Sequence, residues 1–174
     1  VPFCIVLRGE NAALPHGSSS KAEVRKGDAV IMDVGATYDG YFGDLTKTVF
    51  VGSASAKQRE IYDIVLRAQK KAIESVRPGI PASDIDNAAR NVITEAGYGE
   101  RFTHRTGHGL GLEVHEEPSV TATCKTVLKP GMTFTVEPGI YLPQEFGVRI
   151  EDNIAVTEEG RITIGACEKT LTIV

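Results

Sequence analysis

Hydrophobic and polar positions alternate near both ends of the chain and recur at helical spacing in its middle. Phe3-Cys4-Ile5-Val6-Leu7 reads as a strand, and so does the apolar run Val30-Ile31-Met32-Asp33-Val34. Tyr38-Asp39-Gly40-Tyr41 holds a turn signal, and residues 44–51 resume a strand pattern with Thr46, Thr48 and Phe50 alternating before Gly52. Ser55 with Gln58 then predicts a capping box, and Ile61, Val65, Ala68, Ala72 and Val76 fall on one helix face, stopped by Pro78-Gly79. Ser83 is expected to cap a second helix, with the stripe Ile85, Ala89, Val92 and Ala96 and with Gly97 just past its end. Both stripes read as core faces packed on a sheet and carry no catalytic role. Strands return over residues 133–141 and 148–156, separated by Pro143 and Gly147. Glu158-Glu159-Gly160 reads as a turn before residues 161–164, and residues 170–174 form a last strand. Strands flanking a helical middle predict an α+β fold with a largely antiparallel or mixed sheet.

The two β regions echo each other. Gly27-x5-Asp33-x-Gly35 has the same form as Gly131-x5-Glu137-x-Gly139, and a second carboxylate follows each, Asp44 and Glu151. Together with the matching strand pairs, this suggests two related halves, each delivering two carboxylates to a shared site.

Composition narrows the class. With 174 residues the chain fits one domain of roughly 100–200 residues, and its 41% hydrophobic content excludes disorder. Nineteen basic against twenty-three acidic residues leave −4, too mild to indicate nucleic acid or an anionic membrane. No apolar run approaches the ~20 residues of a membrane span. The first ten residues lack a basic stretch followed by a long apolar one, so no secretory signal is read there. Cys4, Cys124 and Cys167 are odd in number and form no CxxC pair, which fits a reducing, cytoplasmic setting.

The carboxylates carry the chemistry. Asp33, Glu137 and Glu151 sit inside strand-like apolar runs, where an unpaired carboxylate costs several kcal/mol or takes up a proton. Arg149 can neutralise one of them, but not all three. Four carboxylates, Asp33, Asp44, Glu137 and Glu151, balance two divalent cations. Oxygen-rich ligation with one imidazole favours Mn²⁺, with Co²⁺, Fe²⁺ or Zn²⁺ as alternatives. Gly107-His108-Gly109-Leu110-Gly111 offers that imidazole between glycines that let backbones approach closely, and it is not a dinucleotide GxGxxG. Three of the four histidines, His104, His108 and His115, lie within twelve residues. Ser18-Ser19-Ser20 and Cys167 lack any triad-like context as nucleophiles.

Gly107-His108-Gly109-Leu110-Gly111-x3-His115-Glu116-x-Pro118, Glu137-Pro138-Gly139-Ile140-Tyr141 and Val148-Arg149-Ile150-Glu151-Asp152 together resemble the pita-bread metallopeptidases of the M24 type. These comprise the Xaa-Pro dipeptidases (prolidases), Xaa-Pro aminopeptidases and methionine aminopeptidases. The Asp33-x10-Asp44 spacing and Leu14-Pro15-His16-Gly17 fit the same group. The resemblance implies a dinuclear site with Asp33, Asp44, His108, Glu137 and Glu151 as ligands, Asp44 and Glu151 bridging the ions. It implies catalytic roles for His16, His104 and His115 on the substrate side, for Glu137 as a proton relay, and for Arg149 as support for its acidic neighbours. Lys47 stands where an arginine is common, and strand parity turns it away from Asp44. The Arg-Ile-Glu-Asp setting favours the proline-specific enzymes over methionine aminopeptidase, so the expected partner is a proline-containing peptide. The other alternative is a non-catalytic pita-bread module that binds a peptide or protein. A homodimer is expected for a full-length parent.

The chain starts at Val1, and on the family pattern residues 1–174 are expected to be a partial catalytic domain. It would lack the first half's covering helices and an N-terminal domain. Alone, it is expected to expose apolar sheet surface and to be poor in metal or activity.

Overall fold

A computed structural model describes residues 2–165 and 168–174. Val1 and Cys167, both noted in the sequence, lie outside the described residues. Strands β1 (Phe3–Arg8), β2 (Ala29–Tyr38) and β3 (Tyr41–Phe50) precede helices α1 (Ala56–Ser75) and α2 (Ser83–Glu95). After them come β4 (Gly107–Gly109), β5 (Glu116–Val120), β6 (Thr133–Val136), β7 (Gly139–Leu142), β8 (Phe146–Arg149), β9 (Asp152–Thr157), β10 (Gly160–Ile164) and β11 (Thr172–Ile173). This is the α+β arrangement that the hydrophobic pattern predicts.

Two main sheets form, ordered β1-β2-β3-β11 and β10-β9-β6-β4-β5, with β7-β8 as a separate ribbon. Among the described pairings only β11 with β3 is parallel. The helices cover the second sheet. Ile61, Val65, Ala68 and Ala72 of α1 and Ile85, Ala89 and Ile93 of α2 join Phe134, Val136, Ile154 and Val156 in one core. Burying each large side chain there contributes ~1.5–3 kcal/mol. The first sheet is barer. On the face away from the site, Cys4 and Val6 are exposed and Met32, Val34 and Leu45 half-buried.

The helix ends divide. Ser55 and Gln58 close a reciprocal capping box on α1 as predicted. Ser83 does not cap α2: Ala82 holds that position with no side-chain bond. The cap is supplied from a distance instead, because the Ser83 amide donates to Cys124 O at 3.1 Å.

The echo between the halves has a backbone counterpart. Gly27 and Gly131 adopt φ of 92° and 90°, a region that side chains avoid. Each donates its amide to the far end of a neighbouring strand pair, Gly27 to Val51 O at 2.8 Å and Gly131 to Val156 O at 2.9 Å.

The long strands predicted over residues 133–141 and 148–156 are each broken in two, and both breaks fall at a carboxylate. Pro138 offers no N–H to a ladder. Glu137 N instead donates to Thr106 O at 2.8 Å, and Glu151 N to Thr46 O at 3.1 Å. Each break therefore hands a carboxylate-bearing residue to a partner outside its own ladder, Glu137 to the segment before β4 and Glu151 to β3.

Candidate metal centre

The site lies where β3 crosses the 148–153 segment. Antiparallel register sets Asp33 opposite Thr46, and alternation puts Asp44, Thr46 and Thr48 on that same face. Thr48 Oγ1 donates to Arg149 O at 2.8 Å and accepts from Arg149 N at 3.1 Å. Thr46 Oγ1 donates to Glu151 Oε2 at 2.5 Å and accepts from Arg149 Nε at 3.2 Å. Asn153 Oδ1 takes the Asp44 amide at 3.3 Å. A strand that looks merely β-branched in sequence thus uses its threonines to tie the first sheet to the β7-β8 ribbon and to Glu151 just after it.

His108 is 3% exposed on β4. Its neighbours must be glycine: a Cβ on Gly107 would lie 1.8 Å from Thr135 O, and one on Gly109 2.3 Å from Glu117 O. The close approach inferred from the sequence is what seats the histidine. His108 N donates to Thr135 Oγ1 at 3.0 Å, and Nδ1 bonds Gly109 O at 3.0 Å, which assigns the ring proton to Nδ1. The bare Nε2 points at Glu137 Oε1 (3.4 Å) and Asp44 Oδ2 (3.8 Å).

Asp44, His108 and Glu151 each place one ligand atom within 4.8 Å of the others. Glu137 stands beside this group, and Thr135 Oγ1 donates to its Oε1 at 3.1 Å. Asp33 is held by Arg149 Nη2 at 2.6 Å. All five expected ligand residues, and His16, His104, His115 and Arg149, line one cavity of ≈ 400 Å³.

The electrostatics fit a cation. Burial, followed by the nearby Asp33 charge, pushes Asp44 up to about 7. Burial also lifts Glu137 to about 7 against the pull of Arg149, and raises Glu151 well above the usual carboxylate range. His108 is lowered to about 4 by burial, so its imidazole is neutral and its lone pair available. Asp44 Oδ1 is buried with no hydrogen-bond partner. An orphaned carboxylate oxygen beside a neutral imidazole lone pair is a donor set that a divalent ion completes.

Three histidines surround this group. The His115 ring packs on His108 with centroids 4.4 Å apart, and His16 lies edge-on to His104 at 6.4 Å. His104 lines the pocket with both ring nitrogens bonded inside the protein. Its Nδ1 bonds Arg105 O at 2.7 Å, and its Nε2 accepts from the Tyr141 hydroxyl at 2.8 Å. Both nitrogens are engaged within the protein, so in this arrangement neither can donate to a substrate carbonyl. Tyr141 in turn accepts from Arg149 Nη1 at 3.1 Å, and burial raises its hydroxyl to about 12. Tyr141 is a participant that the sequence reading left without a role; an aromatic four residues after Glu137 was its only signal.

Comparisons with known proteins accord with this geometry. The chain is 52% identical to an Xaa-Pro dipeptidase of Pyrococcus horikoshii over 167 residues, covering 96% of this chain and 48% of that one. It superposes on the prolidase of Thermococcus sibiricus with a TM-score of 0.97 at 48% identity, covering 98% of this chain and 47% of that one. The X-Pro aminopeptidase of Thermotoga maritima gives a TM-score of 0.96 at 41% identity, with 98% and 49% covered. The chain thus spans about half the length of these relatives, and it has the pita-bread fold that its motifs imply. The profile of metallopeptidase family M24 matches residues 2–158, from the first strand through both carboxylate pairs, and the chain belongs to that family.

Proposed function

We propose that the protein is a dinuclear metallopeptidase that hydrolyses the Xaa-Pro bond of dipeptides. The observation that carries this reading is His108, whose neutral imidazole turns a bare nitrogen toward Asp44 and Glu137 beside an orphaned Asp44 oxygen. Asp33, Asp44, His108, Glu137 and Glu151 would hold two divalent ions, Mn²⁺ being favoured by the four-carboxylate, one-imidazole set. Such ions would lower the pKa of a bound water toward neutral and so supply a nucleophile.

The chain's own residues do the rest. Glu137, beside the metal group, would take up a proton and pass it to the leaving proline nitrogen. His115 lines the pocket where it can stabilise the oxyanion that develops on the scissile carbonyl. Phe3, Ile5 and Leu7 of β1, with Pro15, form an apolar wall beside His16, suited to a proline ring. Arg149 holds the Asp33 carboxylate in place. The assembly that accompanies this reading is a homodimer. The compartment is a cytoplasmic one, in keeping with the free thiols of Cys4 and Cys124. No helix among the described residues is long and apolar enough to cross a membrane.

The likeness to an X-Pro aminopeptidase gives a second reading, in which peptides longer than two residues are the substrates. Hydrolysis of Xaa-Pro dipeptides and Xaa-Pro-Yaa tripeptides with added Mn²⁺ separates them. Dipeptide cleavage supports the first reading, tripeptide cleavage alone the second. Hydrolysis of methionyl peptides alone would overturn proline specificity.

A further inference from the structure

Helix α2 was expected to be a plain core helix, yet it pairs a buried aspartate with a half-buried arginine beside a segment that lines the pocket. Asp86 is wholly buried and receives Arg90 in the forked geometry, Nε to Oδ2 at 2.8 Å and Nη2 to Oδ1 at 2.9 Å. The same guanidinium donates to two main-chain carbonyls outside the helix, Phe102 O and His104 O, each at 3.0 Å. It also lies 4.2 Å from the centroid of the Phe102 ring, and that ring meets His104 edge-on at 5.1 Å. Thr106 Oγ1 closes the other side by donating to Asp86 Oδ1 at 2.8 Å.

The clamped segment, residues 102–106, has no helix or strand of its own. Its carbonyls would otherwise lack a regular partner. Yet it carries His104, and Thr106 O is the acceptor for the amide of Glu137. Two pocket residues therefore depend on where this segment sits.

We propose that the Asp86–Arg90 pair is a positioning device for the pocket. It pins residues 102–106 so that His104 keeps its proton on Nδ1 and offers Nε2 to Tyr141, while Thr106 O holds Glu137 in place. Asp86 and Arg90 touch no reacting atom; they are positioning residues and not catalytic ones. A lysine at position 90 preserves the charge beside Asp86 but cannot bond both carboxylate oxygens and both carbonyls at once. Replacing both partners by apolar residues removes the clamp without stranding a buried charge.

The test compares wild type with Arg90→Lys and with the double variant Asp86→Leu/Arg90→Met. Thermal melts first establish folding. Long-range ¹H–¹⁵N spectra of the side chains, recorded without added metal, then report each histidine's tautomer. In wild type, His104 is expected to show a protonated Nδ1 and a bare Nε2. In the variants its two nitrogen signals should move toward each other as the tautomers mix, while those of His115 stay put. The inference also rests in part on the peptidase reading, which adds a kinetic arm. On Xaa-Pro dipeptide with Mn²⁺, kcat should fall on the order of 10²-fold, as small misplacements near a reacting centre do, with KM changing far less. Unaltered His104 signals in folded variants would overturn the clamp, and so would loss of folding in both, since the pair would then serve stability alone. A tautomer response in a chain that cleaves no Xaa-Pro peptide would leave the clamp standing and sink the peptidase reading.

Discussion

His108 Nε2 and Glu137 Oε1 face each other at 3.4 Å, and with the ring proton on Nδ1 neither atom carries a hydrogen to share. Two lone pairs so placed repel unless a proton on the carboxyl or a cation lies between them. Asp33, Asp44, Glu137 and Glu151 face two guanidinium groups, Arg105 and Arg149, in one cavity, which leaves a net −2 when all are ionised. Protons or metal must relieve that excess, and the predictions follow from the choice between them.

The metal-free chain should lose stability as pH rises above 6.5. Asp44 and Glu137, lifted from 3.8 and 4.5 to about 7, bind more protons folded than unfolded across that interval. Stability from such groups falls as pH rises toward their folded values. His104 and His108, lowered from 6.5 to about 4, act in the opposite sense, but only below 6.5. Melting temperatures with chelator should therefore decline from pH 6.5 to about pH 8, and saturating Mn²⁺ should remove the decline. A chelated curve that is flat or rises would show that the carboxylates ionise freely in the fold.

Thr46→Val should weaken the site without emptying the core. It deletes the hydroxyl that bonds Glu151 Oε2 and takes Arg149 Nε. We expect ~1–3 kcal/mol of lost stability and a fall of about 10–100-fold in metal affinity, read by denaturant unfolding and calorimetric titration. Undiminished affinity would make the hydroxyl a bystander.

Gly107→Ala should cost ~3 kcal/mol or more, because its Cβ would meet the Thr135 carbonyl at 1.8 Å and backbone cannot step aside. Gly79→Ala is the control. Nothing lies within 4 Å there, and only the φ of +88° opposes it, at roughly 1 kcal/mol. Equal shifts in urea midpoint would remove packing as the reason for the glycine at 107.

Asp44→Asn and His115→Ala should part company. The first removes a charge from the group Asp44, His108 and Glu151 and should lower bound metal, measured by elemental analysis. The second should keep its metal and lose peptide hydrolysis, since His115 meets His108 only through a ring contact. Equal metal loss in both would place His115 among the ligands.

The sequence made the carboxylates conspicuous because charge in an apolar strand run is costly, and Asp33, Asp44, Glu137, Glu151 and His108 do converge. The glycines of the echo were also readable, though not their purpose. A Cβ on Gly35 would strike the Phe3 ring at 2.1 Å, and one on Gly139 would meet Tyr141 Oη at 2.6 Å, so each carboxylate is followed by a seat for an aromatic ring. The strand breaks at Glu137 and Glu151 were hidden, because their amides leave the local ladder for partners chosen by tertiary contact. Asp86 left a faint trace. It shares a helix face with Ala89 and Ile93, where a carboxylate demands a partner, and Arg90 stands four residues on. The hydrogen-bond partners of His104, Arg105 O and Tyr141, were hidden too, because tertiary contact sets them and periodicity cannot reveal them.

The threonine seam also sets a timetable. The bonds from Asp44 to Asn153, Thr46 to Glu151 and Thr48 to Arg149 join positions 109, 105 and 101 residues apart. Closing loops of that length is entropically costly, and contacts so remote slow folding. No early intermediate built on one strand pair or on the helix hairpin can hold more than a fraction of the ligands. Metal capture by this site would thus come late in folding, and a bound ion would act as a latch on a finished fold rather than as its nucleus.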